Sequence, residues 1–352
     1  MEVLVGGSGG GAGWPEPGCR CASCRRQETA GNARKPAAIV VDGVLRLGAG
    51  VAPADSEGYT VLALGGAGWD VTGPDGRRLL YPAGPGAVPE PPEGAAPYDI
   101  AFLDLLGDPT QLGRLRARGL ITPETIVLVA FADHRVPGEA ELARRAGLWA
   151  AGLAGDGDAV IAGRSAPSAG PGGRGPFRVL VLGGARSGKS ERAELHLAAE
   201  PEVTYVATGS TGADDADWAA RVAAHRARRP AWWRTVETTD LAAVLDGARG
   251  AVLIDGIGSW LTAVLDGCGA WDGKPGASQA VAARIADLVR AWRLTAAHVV
   301  AVSDETGLGV IPATPAGRLF RDELGRLNQK LAAASEVTEV VIAGRILPLE
   351  AW

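Results

Sequence analysis

One octapeptide constrains this chain more than any other stretch: Gly183-Gly184-Ala185-Arg186-Ser187-Gly188-Lys189-Ser190. It follows the apolar run Val179-Leu180-Val181-Leu182 and precedes a helix-forming stretch, Glu191 to Glu200. Strand, glycine-rich turn and helix, in that order, are the setting of a phosphate-binding loop of the form G-x-x-x-x-G-K-[ST]. Glycines let the chain curl until backbone N–H groups converge on phosphate oxygens, and the following helix N-terminus adds its partial positive charge. In this reading Lys189 reaches the β- and γ-phosphates and Ser190 ligates Mg2+. The octapeptide therefore predicts a nucleoside triphosphate site.

The sequence around it predicts the fold that would carry such a loop. Apolar runs Val179–Leu182, Val203–Ala207, Ala251–Ile254, His298–Val302 and Val340–Ala343 read as buried strands. Helical stretches Glu191–Glu200, Trp218–Arg228, Ser259–Leu265, Ala277–Ala296 and Ala316–Ser335 lie between or after them. Continuous apolar strands alternating with helices imply an α/β fold with a mostly parallel sheet covered on both faces. Ligands of such sheets sit at the carboxyl ends of the strands, where the octapeptide falls. Asp255, directly after Ala251–Ile254, is then the acid expected to hold Mg2+, against the plainer role of capping the next helix.

The segment from Gly163 to Pro176, GRSAPSAGPGGRGP, has no periodicity and reads as a flexible linker. It divides the chain into an N-terminal domain, 1–162, and a C-terminal domain, 177–352. In the N-terminal part, strand-like runs Ala38–Val41, Thr60–Ala63, Ile100–Leu103 and Thr125–Val129 and a helical stretch Glu139–Ala146 predict an α/β or α+β domain. A net charge of −5 without a basic block argues against a nucleic-acid partner. No apolar run reaches the ~20 residues that span a bilayer, and no secretory leader pattern is present, so a cytoplasmic location is expected.

His225 stands out among the remaining polar residues. Five arginines, Arg221, Arg226, Arg228, Arg229 and Arg234, surround it in a chain that is otherwise acidic. Such a cluster disfavours imidazole protonation and attracts phosphate oxygens. A neutral imidazole beside a polyphosphate can attack phosphorus, although a lone histidine on a polar helix is usually just solvated. Arg234 and Glu237 read equally well as nucleotide-site residues and as solvated charges.

These residues together carry a resemblance. The C-terminal half resembles the bifunctional adenosylcobinamide kinase/adenosylcobinamide-phosphate guanylyltransferase family over nearly all of Phe177 to Glu350. The matching residues are the octapeptide, Tyr205-Val206-Ala207-Thr208, Arg221-Val222, His225, Arg229-Pro230, Trp233-Arg234-Thr235 and Glu237. They continue through Asp304 to Pro312, Arg318, Phe320-Arg321-Asp322, Gly325 and Leu327-Asn328-Gln329. The resemblance implies a P-loop, RecA-like fold and two reactions at one site. ATP or GTP phosphorylates adenosylcobinamide; GTP then passes GMP to a histidine, which falls on His225, and on to adenosylcobinamide phosphate. It also implies a homo-oligomer. Two departures bear on the pocket: Asp304 stands where the family usually has Asn, and Ala313-Thr314 where Glu-Asn is common. A P-loop kinase of another small alcohol, without nucleotidyl transfer, and a nucleotide-binding regulatory protein are the competing readings.

The second dense signal is Cys19-Arg20-Cys21-Ala22-Ser23-Cys24. Thiolates at C-x-C-x-x-C spacing can converge on one Zn2+, and His134, the only histidine before residue 163, is the candidate fourth ligand. Reduced, unliganded thiols in a glycine-rich loop are the alternative. The opening GGSGGGAGWPEPGCRCASCRR resembles the start of metallo-β-lactamase-fold proteins of the phosphodiesterase and cofactor-biosynthesis kind. Ala37–Leu45 is compatible with early strands of that fold. Its two-metal site needs an H-x-H-x-D-H cluster and further histidines, which a domain with one histidine cannot supply. The expectation is a degenerate relative that keeps a structural zinc and serves in docking or regulation.

Overall fold

The computed structural model describes residues 1–51, 53, 56–163, 176–209, 223 and 229–350. The chain divides into two compact units, Met1–Gly172 with Ala198–Pro201, and Gly173–Leu197 with Glu202–Trp352.

In the first unit, Glu2–Gly7 (β1), Ala38–Val41 (β2), Leu45–Gly48 (β3) and Ala159–Ile161 (β9) form one sheet in the order β3-β2-β1-β9. Thr60–Ala63 (β4), Gly68–Thr72 (β5), Arg78–Pro82 (β6), Ile100–Leu103 (β7) and Ile126–Val129 (β8) form a second sheet in chain order. Val3 and Val5 alternate inward along β1, as one buried sheet face requires. They share a core with Ile39, Leu47, Tyr81, Phe102 and Leu128, so side chains from both sheets fill one apolar interior. Helices Ala22–Ala30 (α1), Thr110–Ala117 (α2) and Glu139–Leu148 (α3) complete this unit among the described residues.

The second unit is built on one sheet of seven strands. Phe177–Gly183 (β10), Val203–Ala207 (β11), Arg234–Glu237 (β12), Ala251–Asp255 (β13), His298–Asp304 (β14), Val337–Ile342 (β15) and Arg345–Leu349 (β16) lie in the order β12-β11-β13-β14-β10-β15-β16. All pairings are parallel except the β15–β16 hairpin. Along β10, Val179 and Val181 point to one face with Ala193 and Leu197 of helix Lys189–Leu197 (α4). Leu180 and Leu182 point to the other, packed with Leu241–Gly247 (α5), Ile257–Gly267 (α6), Ala277–Leu294 (α7) and Pro315–Ala332 (α8). Burying each such side chain contributes about 1.5–3 kcal/mol, and covering both faces explains why these strands read as unbroken apolar runs.

All five strands expected in this half are present, and four of the expected helices. β12, β16 and α5 lie outside the stretches that the sequence pattern predicts. The linker expected over 163–176 lies outside the described residues apart from Gly163 and Pro176, and so does all of 218–228 except Ala223.

Candidate functional sites

The carboxyl ends of four neighbouring parallel strands meet at the octapeptide. Gly183 closes β10 opposite Asp304 at the end of β14, and Asp255 ends β13 opposite Val302. Ala207 at the end of β11 is in register with both Asp255 and Glu237, which places Glu237 on the edge strand of the same rim.

The turn that follows Gly183 needs its glycines at two points. A Cβ on Gly183 would come within 2.5 Å of Ser187 Oγ and 2.7 Å of the Val341 carbonyl, so no larger residue fits. Gly188 has φ +96°, in the left-handed region that favours glycine. The Gly344 N–H, from the β15–β16 turn, donates to the Ser187 carbonyl at 2.8 Å and braces the loop from behind. Lys189 and Ser190 then begin α4, so Lys189 leaves the first turn of a helix, the end that carries partial positive charge. Lys189 Nζ donates to the Gly184 carbonyl at 3.1 Å and lies 2.9 Å from Asp304 Oδ1.

Asp255 accepts a 2.7 Å hydrogen bond from the Tyr205 hydroxyl. Burial, then the Asp255 charge, push the Tyr205 phenol far up, so it stays a donor at neutral pH. Arg229 stacks over the Tyr205 ring, 3.6 Å from its centre. Thr208 Oγ1 accepts from the Gly256 N–H at 3.1 Å and donates to the Gly256 carbonyl at 2.6 Å, which fixes the turn directly after Asp255. The hard oxygen donors of Ser190 and Asp255 suit Mg2+. Tyr205 and Thr208 escaped assignment from sequence because their partners lie about fifty positions away. His225, Arg221, Arg226 and Arg228 lie outside the described residues. Arg229 reaches the site through Tyr205, whereas Arg234 lies on β12, within 3.5 Å of Thr204 Oγ1.

Behind the loop, Arg192 of α4 makes two hydrogen bonds to Glu339 of β15, at 2.6 and 2.7 Å, and His196 Nε2 lies 3.1 Å from the same carboxylate. Burial lowers His196 to about 4. Burial works to raise Glu339, but the Arg192 and His196 hydrogen bonds outweigh it and hold the carboxyl at about 2. We read the cluster as one coupled unit in which Arg192 carries the positive charge and His196 stays neutral, because the imidazole is buried beside a cation.

The region holding the phosphate-loop site matches a family model described as cobinamide kinase/cobinamide phosphate guanyltransferase over residues 179–349. The chain is 37% identical over 181 residues to a bifunctional adenosylcobalamin biosynthesis protein, CobU, of Salmonella typhimurium, covering 47% of this chain and 96% of the relative. A protein of the same description from Pseudomonas aeruginosa, CobP, is 40% identical over 180 residues, covering 49% of this chain and 98% of the relative. The chain belongs to the cobinamide kinase/cobinamide phosphate guanyltransferase family. Escherichia coli CobU, 37% identical over 176 residues with 96% of it covered, shows the same relation. Against solved structures, a type III secretion ATPase is matched with TM-score 0.32 and 13% identity over 47% of this chain and 50% of that one, too low to bear on fold or function.

The second cluster lies in the first unit, outside the family match. Sγ of Cys19, Cys21 and Cys24 and a ring nitrogen of His134 all lie within 4.8 Å of one another. Cys21 caps α1, its Sγ accepting from the Cys24 N–H at 3.4 Å, so C-x-x-C spacing puts a cap and a first-turn thiol side by side. Cys24 Sγ is 3.5 Å from His134 Nδ1, which also lies 3.2 Å from Glu16 Oε2. Burial pushes the Cys24 thiol up to about 11, while the Cys24 N–H lowers Cys21. Tetrahedral Zn2+ with bonds of about 2.0–2.3 Å requires ligand atoms roughly 3.3–3.8 Å apart, a spacing that Cys24 Sγ and His134 Nδ1 already have.

Among the described residues, no helix is long and apolar enough to cross a membrane.

Proposed function

We propose that residues 177–350 carry both activities of the family at one nucleotide site used twice. In the first use, the hydroxyl of adenosylcobinamide attacks the γ-phosphorus of ATP or GTP, the bond to the bridging β–γ oxygen breaks, and the diphosphate leaves. In the second, a ring nitrogen of His225 attacks the α-phosphorus of GTP, and pyrophosphate departs. Adenosylcobinamide phosphate then attacks the same phosphorus, giving adenosylcobinamide-GDP and restoring the imidazole. Splitting the nucleotidyl transfer through a phosphoramidate keeps each barrier manageable.

The residues in hand divide the work. Lys189 and the amides of Gly183–Ser190 bind the phosphate chain and oppose charge on the leaving diphosphate or pyrophosphate. Ser190 and Asp255 would hold Mg2+, which when bound neutralises phosphate charge. Tyr205 and Thr208 fix Asp255 and the turn beyond it. Leu308, Val310 and Ile311 are 83%, 94% and 65% exposed on the stretch that follows Asp304, which suits contact with a large, mostly apolar corrin ring. We place Glu237 at the rim of the nucleotide site, the enzyme in the cytoplasm, and the active form as a homo-oligomer.

The reading rests on one observation above others: an intact phosphate loop and Asp255 at the carboxyl ends of strands flanking β14, within a region that spans 96–98% of the length of three bifunctional relatives. Incubation with adenosylcobinamide, ATP and GTP should yield adenosylcobinamide-GDP, and Lys189→Ala should reduce both phosphorylation and guanylyl transfer by about 100- to 1,000-fold. Survival of either activity in that variant removes the loop from the mechanism.

For the first unit, we propose that Cys19, Cys21, Cys24 and His134 hold one structural Zn2+ in a non-catalytic relative of the metallo-β-lactamase fold that serves in docking or regulation. The soft thiolate donors and the convergence of four ligand atoms within 4.8 Å support zinc over Mg2+ or Ca2+.

A further inference from the structure

The carboxylate of Asp304 is paired with the lysine of the phosphate loop, Lys189. β14 is the strand between the phosphate-loop strand β10 and the Asp255 strand β13, and Asp304 ends it directly opposite Gly183. Its main chain is pinned: Asn328 Nδ2 donates to the Asp304 carbonyl at 3.1 Å, and the Glu305 N–H donates to the Gly183 carbonyl at 3.2 Å. Asn328 is itself fixed by the buried Ser303 hydroxyl, 2.7 Å from its Oδ1.

The side chain is turned into the site. Oδ1 pairs with Lys189 Nζ at 2.9 Å. Oδ2 lies against the first turn of α6, where a Cβ on Gly258 would meet it at 2.8 Å. The helix N-terminus favours a negative charge there, and only glycine leaves room for it. Without nucleotide, the charge of Lys189 is therefore already neutralised by this carboxylate. When Lys189 turns to a phosphate, Asp304 is left facing a group of its own sign. An asparagine here would keep the shape and lack the charge.

We propose that Asp304 competes with nucleotide phosphate for Lys189 and so makes binding depend on Mg2+: the free polyphosphate is rejected, and its Mg2+ complex, with less net negative charge, is accepted. The inference rests on the nucleotide reading above and concerns a positioning residue. It can be tested by calorimetry on the full chain with GTP in EDTA, with GTP in excess Mg2+, and with pyrophosphate in EDTA.

Asp304→Asn should tighten binding of metal-free GTP and pyrophosphate by about 10-fold or more, and of Mg2+–GTP by less than about 3-fold. Asp304→Ser, which also removes the charge, should show the same pattern and guards against a local folding effect of one substitution. Equal gains with and without Mg2+, or unchanged affinity in both, would overturn the proposal. Weaker Mg2+–GTP binding in both variants would also overturn it, because Asp304 would then be a metal ligand rather than a competitor. If the wild-type protein fails to bind Mg2+–GTP at all, the nucleotide reading itself fails, which is a different result.

Discussion

Tyr205 shows how much of the nucleotide site depends on a residue that phosphates need not touch. Its hydroxyl donates to Asp255, and its ring carries Arg229 on one face. A hydrogen bond to a charged group contributes about 1.5–3 kcal/mol, so Tyr205→Phe should weaken Mg2+-dependent nucleotide binding roughly 10-fold. Mg2+ titration at fixed GTP measures this; an unchanged Mg2+ requirement would separate Tyr205 from the metal site. At this scale, legibility followed sequence distance. Lys189, Ser190 and the loop glycines were readable because their chemistry lies in eight consecutive residues. Asp255 was readable because an acid closes an apolar run. Tyr205 and Thr208 sit on an equally plain strand end, but their meaning lies in contacts with Asp255 and Gly256 that no local pattern encodes.

Among the elements, α4 and β15 are joined by the Arg192–Glu339–His196 cluster directly behind the phosphate loop. Both titrating groups have folded-state values below their ordinary ones, about 4 for His196 and about 2 for Glu339. The unfolded chain therefore takes up protons first, and stability from the cluster is complete above about pH 6.5. It declines as pH falls toward 4, where His196 titrates, and further toward pH 2, where Glu339 does. His196→Gln should flatten the fall of Tm between pH 6.5 and 4, measured by calorimetry. Wild type and variant falling in parallel would place the acid sensitivity elsewhere. The strands also show which elements a sequence reveals. β10, β11, β13, β14 and β15 were legible because both of their faces are packed. β12, Arg-Thr-Val-Glu, and β16, Arg-Ile-Leu-Pro-Leu, are edge strands with mostly exposed side chains; β12 carries no apolar run, and Pro348 interrupts the one in β16. Pro348 in β16 is tolerated because the strand has a neighbour on one side only.

Across the whole molecule, two units carry two different clusters of functional side chains. The family match covers 179–349, and the thiol cluster belongs to the other unit. Cys19, Cys21 and Cys24 group by their spacing, and His134, 110 positions beyond Cys24, is the only histidine before residue 163. The chain brings all four together because β8 leads into His134 while α1 begins at the cysteines. The fold of this unit was far less legible, since β5, β6 and α2 are short and interrupted by Gly- and Pro-rich turns. Purified full-length protein should contain about one zinc per chain by elemental analysis, and Cys24→Ser should lose most of it together with thermal stability. A zinc content near zero in wild type, or unchanged in the variant, would refute the site. The central claim, one phosphate site used twice through His225, has its most direct measurement in α-labelled GTP. After incubation and denaturation, the wild-type chain should carry an acid-labile, base-stable label that His225→Ala lacks. An unlabelled wild-type chain that still phosphorylates adenosylcobinamide, or equal labelling of His225→Ala, would contradict it.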